Sequence, residues 1–139
     1  MADDLHARLL ITETLNRYAW GYDTRDLALM GGTFAHDGRF SIVLDGHPGW
    51  GPYQGRDAIV AWLAEVMAGQ SDQRRHCVSN MVFRELGTDS AKVDSYLLLT
   101  AVENAKLRVV CSGTYRDEMV KDNGAWFIQC KTLRLDNPF

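Results

Sequence analysis

Cysteine is scarce in this sequence, and its spacing excludes two kinds of site. Only Cys77, Cys111 and Cys130 occur among 139 residues, an odd number, and they lie far apart along the chain. Such spacing argues against a disulfide framework, and it lacks the paired arrangement of a zinc site. Cysteine use of this kind is typical of a reducing compartment, so we expect a cytoplasmic protein.

The sequence also lacks a long apolar run. The longest, YLLLTAV at 96–102, is far shorter than the run of about 20 residues that a transmembrane helix needs. Residues 1–15 contain Asp3, Asp4, Arg8 and Glu13, which the apolar part of a secretory signal would not carry. We therefore expect neither a membrane span nor a signal peptide.

An excess of positive charge is absent as well. The chain has 15 Lys and Arg against 18 Asp and Glu, a net charge of −3, so a nucleic acid is a poor candidate partner. The sequence has no GxGxxG, GxxxxGK[ST] or GxSxG motif, and its histidines lack the spacing of a helix-borne metal site. We expect no cofactor and no metal, which leaves cofactor-free proton transfer as the chemistry of an enzyme.

What is present suits one globular domain over residues 1–139. Hydrophobic residues make up 46% and charged residues 24%, ordinary values for a folded domain. The N-terminal part predicts helices: one over 4–22, a short one in LALMGG capped by Asp26, and a third that starts near Asp57 and ends before Gly69. The apolar stripe of the first helix is predicted to contain Leu5, Leu9, Ile11, Leu15, Tyr18, Ala19 and Tyr22. The stripe of the third is predicted to contain Ile59, Trp62, Leu63, Val66 and Met67.

The remaining segments predict strands. A turn at Asp37-Gly38 should lead into a strand over 39–44, and GHPGWGPYQG fits short extended pieces or a loop. Four long segments rich in β-branched and aromatic residues follow, separated by short turns: RRHCVSNMVFREL, AKVDSYLLLTAVEN, KLRVVCSGTYRDEMVK and AWFIQCKTLRLD. Short turns between long strands indicate an antiparallel meander. We therefore predict an α+β domain whose curved antiparallel sheet packs on three helices and encloses an apolar pocket.

Asp23 and His76 are the first candidates for chemistry. Asp23, in YAWGYDTRD, lies close to the buried stripe at the end of the first helix, where a carboxylate suits a base or a partner for an imidazolium. By alternation His76 shares a strand face with Val78, Asn80 and Val82, and an imidazole on a pocket wall can move protons near neutral pH. Asp23 could equally be a solvated turn residue, and His76 a hydrogen-bonded structural histidine.

Further candidates are cationic or aromatic. Lys131 and Arg134 lie three residues apart in the last strand, so one could point inward, although both could lie on a solvated face. Tyr18 and Tyr22 could supply pocket hydroxyls or simply pack in the core. Trp50 lies in a loop-like segment and could form a lid.

The order of YAWGYDTRD, YQGRDAIVAWLAEV, RRHCVSNMVF and GAWFIQCKTLRL, over about residues 5–135, resembles the SnoaL-like branch of the nuclear transport factor 2-like superfamily. Within it, the pattern is similar to the group of lindane dehydrochlorinase, scytalone dehydratase and bile-acid dehydratase. The resemblance implies a cone-shaped fold in which Asp23 orients His76 and His76 removes a proton. It also implies that Lys131, where that group has arginine, assists a departing group and that Tyr18 lies near a substrate oxygen.

These features predict a cofactor-independent lyase or isomerase that acts on a small hydrophobic, ring-containing molecule. Two alternatives stay open: a non-catalytic small subunit of a ring-hydroxylating dioxygenase, and a small-molecule-binding protein without chemistry. Relatives of this kind are commonly dimers or trimers, and LRVVCSGTY is apolar enough to form part of such an interface.

Overall fold

The computed structural model describes residues 2–139 and places the helices on the inner face of a six-stranded sheet. The predicted order of helices and long strands is confirmed. The helices are α1 (Ala2–Asp23), α2 (Leu27–Gly31) and α3 (Arg56–Ala68). The strands are β1 (Phe34–Leu44), β2 (Trp50–Gln54), β3 (Gln73–Leu86), β4 (Ser90–Glu103), β5 (Lys106–Asp122) and β6 (Ala125–Leu135).

Helix α1 buries a narrower stripe than predicted. Ile11, Leu15 and Tyr18 are buried as expected, but Leu5 and Leu9 are each 61% exposed. Their positions explain this, because they precede Ile11 by six and two residues. At about 100° per residue they point roughly 240° and 200° away from its side chain. The prediction that they belong to the core is wrong.

The other two helices begin and end where the sequence indicated. The side chain of Asp26 accepts a hydrogen bond of 3.0 Å from the backbone N–H of Leu29, which caps α2. Helix α3 buries Ile59, Leu63 and Met67 and ends before Gly69. Helix α2 packs against α1 and α3, and α3 packs against β1 and β2.

The sheet has the strand order β2-β1-β6-β5-β4-β3. Strands β3 to β6 form the predicted antiparallel meander, whereas β1 lies parallel to β6. Strand β1 also begins earlier than predicted, because Phe34 already pairs with Ile128. Asp37 and Gly38 lie in an irregular part of this strand, where the register shifts, and the predicted turn there is wrong.

Strand β3 contains a bulge that the sequence pattern did not indicate. Asn80 has a φ of 54°, and the register against β4 shifts between Ser79 and Val82. His76 and Val78 share the inner face as predicted, but Asn80 and Val82 point outward, and Val82 is 58% exposed. The extra residue moves Met81 to the inner face, so the prediction fails beyond the bulge.

Candidate active site

Asp23 and His76 come together at the junction of α1 and β3. The Nδ1 atom of His76 lies 2.6 Å from Oδ1 of Asp23, and the backbone N–H of His76 donates to Oδ2 over 2.8 Å. Both side chains are nearly buried, with 8% and 7% of their surface exposed. The backbone carbonyl of Asp23 accepts a further hydrogen bond of 2.8 Å from Gln73 Nε2, which ties the end of α1 to β3.

Two contacts to one carboxylate fix both the position and the protonation of the imidazole. An ionised carboxylate only accepts hydrogen bonds, so Nδ1 carries the proton in this pair. The second nitrogen, Nε2, is then the basic atom. Since His76 lines a pocket and Asp23 lies behind it, the arrangement can present a base to a bound molecule.

The pocket lies between the inner face of the sheet and helices α1 and α3. Its cavity volume is about 50 Å³, and the whole space between its walls, including the part open to solvent, is about 470 Å³. Its wall is mainly apolar and aromatic, with a few polar groups. It is lined by Tyr18, Tyr22, Phe40, Ile42, Trp62, Leu63, Val66, Gln70, Arg74, His76, Leu97, Leu99, Cys111, Tyr115, Leu133, Leu135 and Phe139.

Three phenols take part in this wall. Tyr22 lies against His76, with 4.5 Å between ring centroids, and its hydroxyl donates a hydrogen bond of 2.9 Å to Gln70. The hydroxyls of Tyr18 and Tyr115 have no hydrogen-bond partner among residues 2–139, although both side chains are buried. Burial raises the pKa of both well above the ordinary value. Both therefore remain protonated and can donate to an oxygen of a bound molecule.

Lys131 lies beneath the pocket. Its Nζ forms an ion pair with Asp117 at 3.1 Å and lies 3.8 Å and 4.5 Å from the ring centroids of Tyr115 and Tyr18. Both partners are fully buried, and burial lowers the pKa of Lys131 and raises that of Asp117. The aromatic rings separate the ammonium from the open pocket, so the geometry does not fit direct contact with a departing group. Arg134 points outward, where it pairs with Asp45 at 2.9 Å.

Trp50 lies outside the pocket wall, in the edge strand β2. Its ring stacks on His47, with 4.6 Å between centroids, and lies 5.1 Å from the ring of Phe139. Phe139 itself lines the pocket. Trp50 therefore packs against Phe139 from outside the pocket. Its position in the edge strand β2 does not match the predicted role as a lid.

Sequence reasoning missed Arg74 and Gln70 as wall residues. Arg74 could have been found, because it precedes His76 by two residues and so shares its strand face. The partner of Lys131 depends on the register between β5 and β6, which places Asp117 opposite Lys131. No single segment contains that information.

Over residues 2–139 the chain contains neither a metal-binding cluster nor a membrane-spanning helix. Within residues 2–139, no three His, Cys, Asp or Glu side chains are grouped so that they could hold a metal ion. No helix over the same residues combines the length and the apolar character that crossing a membrane requires.

Solved structures show how common this architecture is. A protein of unknown function from Mycobacterium tuberculosis is 26% identical, with a TM-score of 0.83 over 98% of this chain and 75% of that one. A protein from Catenulispora acidiphila, solved in complex with S-DNPA, is 24% identical, with a TM-score of 0.82 over 96% of each chain. A chain described as the beta subunit of an aromatic-ring-hydroxylating dioxygenase from Novosphingobium aromaticivorans is 15% identical, with a TM-score of 0.81 over 97% and 92%.

The last two similarities concern the fold alone, because their identities are low. No match was found among curated proteins. A family model described as a SnoaL-like domain, however, matches residues 3–132, nearly the whole chain. The chain therefore belongs to the SnoaL-like family.

Proposed function

We propose that this protein is a cofactor-independent lyase or isomerase that removes a proton from a small hydrophobic, ring-containing substrate. The observation that carries the proposal is the contact of 2.6 Å between His76 Nδ1 and Asp23 Oδ1, with the imidazole on the pocket wall. A carboxylate that holds Nδ1–H both selects the tautomer and stabilises the imidazolium that forms when Nε2 takes a proton.

The proposed reaction begins with a C–H bond next to an electron-withdrawing group. His76 Nε2 takes the proton, and the electron pair of the C–H bond moves toward the activating oxygen. The hydroxyls of Tyr18 and Tyr115 can donate hydrogen bonds to that oxygen and stabilise its negative charge. The electron pair then expels a leaving group in an elimination, or the imidazolium returns the proton to another carbon in an isomerisation.

Several features of the pocket support this chemistry. Its wall is mainly apolar, which lowers the local dielectric constant near the imidazole and strengthens the electrostatic effect of the dyad. A protein of similar fold was solved in complex with S-DNPA. That protein is similar to this chain in fold alone, so the proposal rests on the dyad of Asp23 and His76.

A second candidate is a non-catalytic subunit, because a fold neighbour is described as a dioxygenase beta subunit. Such a subunit would need a larger iron-protein partner. If the chain expressed alone is folded and soluble and catalyses proton exchange, this second candidate fails. Tight binding of small molecules without any exchange would instead favour a binding protein without chemistry.

The test follows solvent deuterium into a panel of cyclic ketones, hydroxyketones and haloalkanes incubated with the protein in D₂O. This reports proton removal even when no leaving group departs. We expect exchange with the native protein, a loss of about 10²-fold or more in His76→Gln, and a substantial loss in Asp23→Asn. His36→Gln changes an exposed histidine and serves as the matched control.

NMR of the imidazole nitrogens tests the dyad without a substrate. The native protein should show His76 with the proton on Nδ1, and Asp23→Asn should shift the tautomer or produce a mixture, because an amide can also donate to the ring. If the native protein shows the Nε2–H tautomer, or if His76→Gln exchanges deuterium as fast as the native protein, the base mechanism must be abandoned.

A further inference from the structure

Arg74 brings a positive charge to the mouth of the apolar pocket. It lies on the inner face of β3, two residues before His76, and its side chain lines the pocket with 12% of its surface exposed. Residues two apart on a strand are about 7 Å apart along it and point the same way. The guanidinium is therefore held next to the proposed base, on the same wall.

The guanidinium uses only one edge in the protein. Its Nε donates to Asp72 Oδ1 over 3.0 Å, and its Nη2 lies 3.5 Å from Oδ2 of the same carboxylate. Its Nη1 has no hydrogen-bond partner in the described chain. Arginine has donors along a second edge, and that edge can receive a planar oxygen group from a ligand.

Local charge is not balanced. Asp72 also accepts a hydrogen bond of 3.1 Å from Arg108, so two guanidiniums share one carboxylate. Arg25 lies beside them, and its hydrogen bonds go to the neutral backbone carbonyls of Met67, Gln70 and Asp72. Asp72 alone balances the charge of only one of the two guanidiniums that it pairs with.

This charge acts on the pocket itself. Burial raises the pKa of Cys111 on β5, another lining residue, and the charge of Arg74 opposes that rise. For Tyr22 burial again raises the pKa, and the charges of Arg74 and Arg25 oppose that rise. The field of Arg74 thus extends across the pocket mouth.

We propose that the substrate of this pocket is a carboxylic acid whose ring enters the apolar interior and whose carboxylate binds Arg74 at the mouth. One unmatched positive charge suits a monoanion better than a dianionic phosphate. The inference rests on the proposed function in taking this pocket as the substrate site. It adds that the carboxylate and the reacting carbon bind along the same wall, which Arg74 and His76 both line.

Isothermal titration calorimetry with matched probes tests the proposal. The probes are benzoate, 2-naphthoate and 2-anthracenecarboxylate, each compared with its neutral amide, and 2-naphthyl phosphate. We expect at least one acid to bind the native protein about 10-fold more tightly than its amide, since a hydrogen bond to a charged group contributes more than a neutral one. If no acid binds more tightly than its amide, or if the phosphate binds more tightly than 2-naphthoate, the proposal is wrong.

Substitutions at Arg74 and Arg75 test whether the preference for the acid comes from Arg74. Arg74→Met should remove the preference for the acid, whereas Arg75→Met, which removes the same charge from the exposed face of the same strand, should keep it. Equal losses in both variants would show a long-range effect of net charge and overturn the proposal. Arg74→Lys, which keeps the charge, covers the case in which Arg74→Met does not fold, and should retain part of the preference.

The failure of this inference can be distinguished from the failure of the proposed reaction. His76→Gln should still prefer the acid over the amide, because it leaves Arg74 in place. A preference that survives in His76→Gln together with unchanged deuterium exchange would refute the base mechanism alone. If His76→Gln loses deuterium exchange as expected but the native protein shows no preference for acids, only the carboxylate site is refuted.

Discussion

The buried pair of Lys131 and Asp117 lies behind the two phenols of the pocket floor. Burial shifts the pKa of each partner against its charged form, so desolvation outweighs their mutual attraction. Such a pair adds little net stability, but an ammonium 3.8 Å from one ring centroid and 4.5 Å from the other constrains both rings. We infer that Lys131 positions Tyr18 and Tyr115 and acts on a substrate only through them.

Lys131→Met should destabilise the fold by about 3–5 kcal/mol at neutral pH, because Asp117 is left buried and unpaired. The loss should shrink as the pH falls. The folded-state pKa of Asp117 is already raised, and without Lys131 it rises further. A raised carboxyl pKa means that stability is lost as pH rises from about 4, the unfolded value, through the folded value. Urea unfolding between pH 4.5 and 8 measures this.

The double variant Lys131→Met with Asp117→Leu is the control for that experiment. Removing both charges should restore most of the lost stability and abolish the added pH dependence, because no unpaired charge remains. A single variant whose stability loss is the same at every pH would contradict the account. So would a double variant as unstable as the single one.

At the scale of the element, the bulge in β3 decides which side chains face the pocket. The inner face carries Arg74, His76 and Val78 before the bulge and Met81 and Phe83 after it. Without the extra residue at Asn80, strict alternation would turn Met81 outward. The bulge thus allows one strand to supply the polar part of the site near its start and to continue packing against α1 further along.

Asn80 is suited to the bulge because asparagine tolerates a φ of 54°. Asn80→Val should destabilise the fold by about 1–2 kcal/mol, since a β-branched residue is strained there, while Asn80→Gly should be close to neutral. Chemical unfolding measures both. Ser79→Val is the matched control, because Ser79 is an exposed neighbour whose φ is not positive. Equal effects of the two valine variants would show that β3 does not depend on this backbone conformation.

The bulge also shows where sequence reasoning reached its limit. Local patterns were sufficient for the helices, the four long strands and the inward direction of His76, because period and turn residues are local signals. They failed where the pairing between strands determines the structure. The failures are the parallel contact of β1 with β6, the irregular Asp37-Gly38 segment and the pairing of Asp117 with Lys131. The meeting of Asp23 with His76, 53 residues apart, was predicted only through the family resemblance.

At the scale of the whole molecule, the outer face of the sheet carries an apolar surface that the inner core does not explain. Leu107 is 72% exposed, Val109 64%, Tyr96 56% and Leu98 45%. Register makes the surface continuous, because Val102, itself 40% exposed, pairs with Leu107 across β4 and β5. Contiguous apolar surface of this kind is typical of an interaction site.

We predict that this surface joins copies of the chain into a dimer or trimer. Leu107→Glu combined with Val109→Glu should shift the protein to a monomer while the fold is retained, because charges cannot be buried unpaired at the contact. Light scattering coupled to size-exclusion chromatography, with circular dichroism for the fold, measures this. Leu9→Glu places a charge at a similarly exposed leucine on α1 and should leave the oligomer intact. A native protein that is monomeric at tens of micromolar, or a Leu9→Glu variant that dissociates equally, would refute the interface. In that case the apolar face would be available to a different partner, as the dioxygenase-subunit alternative requires.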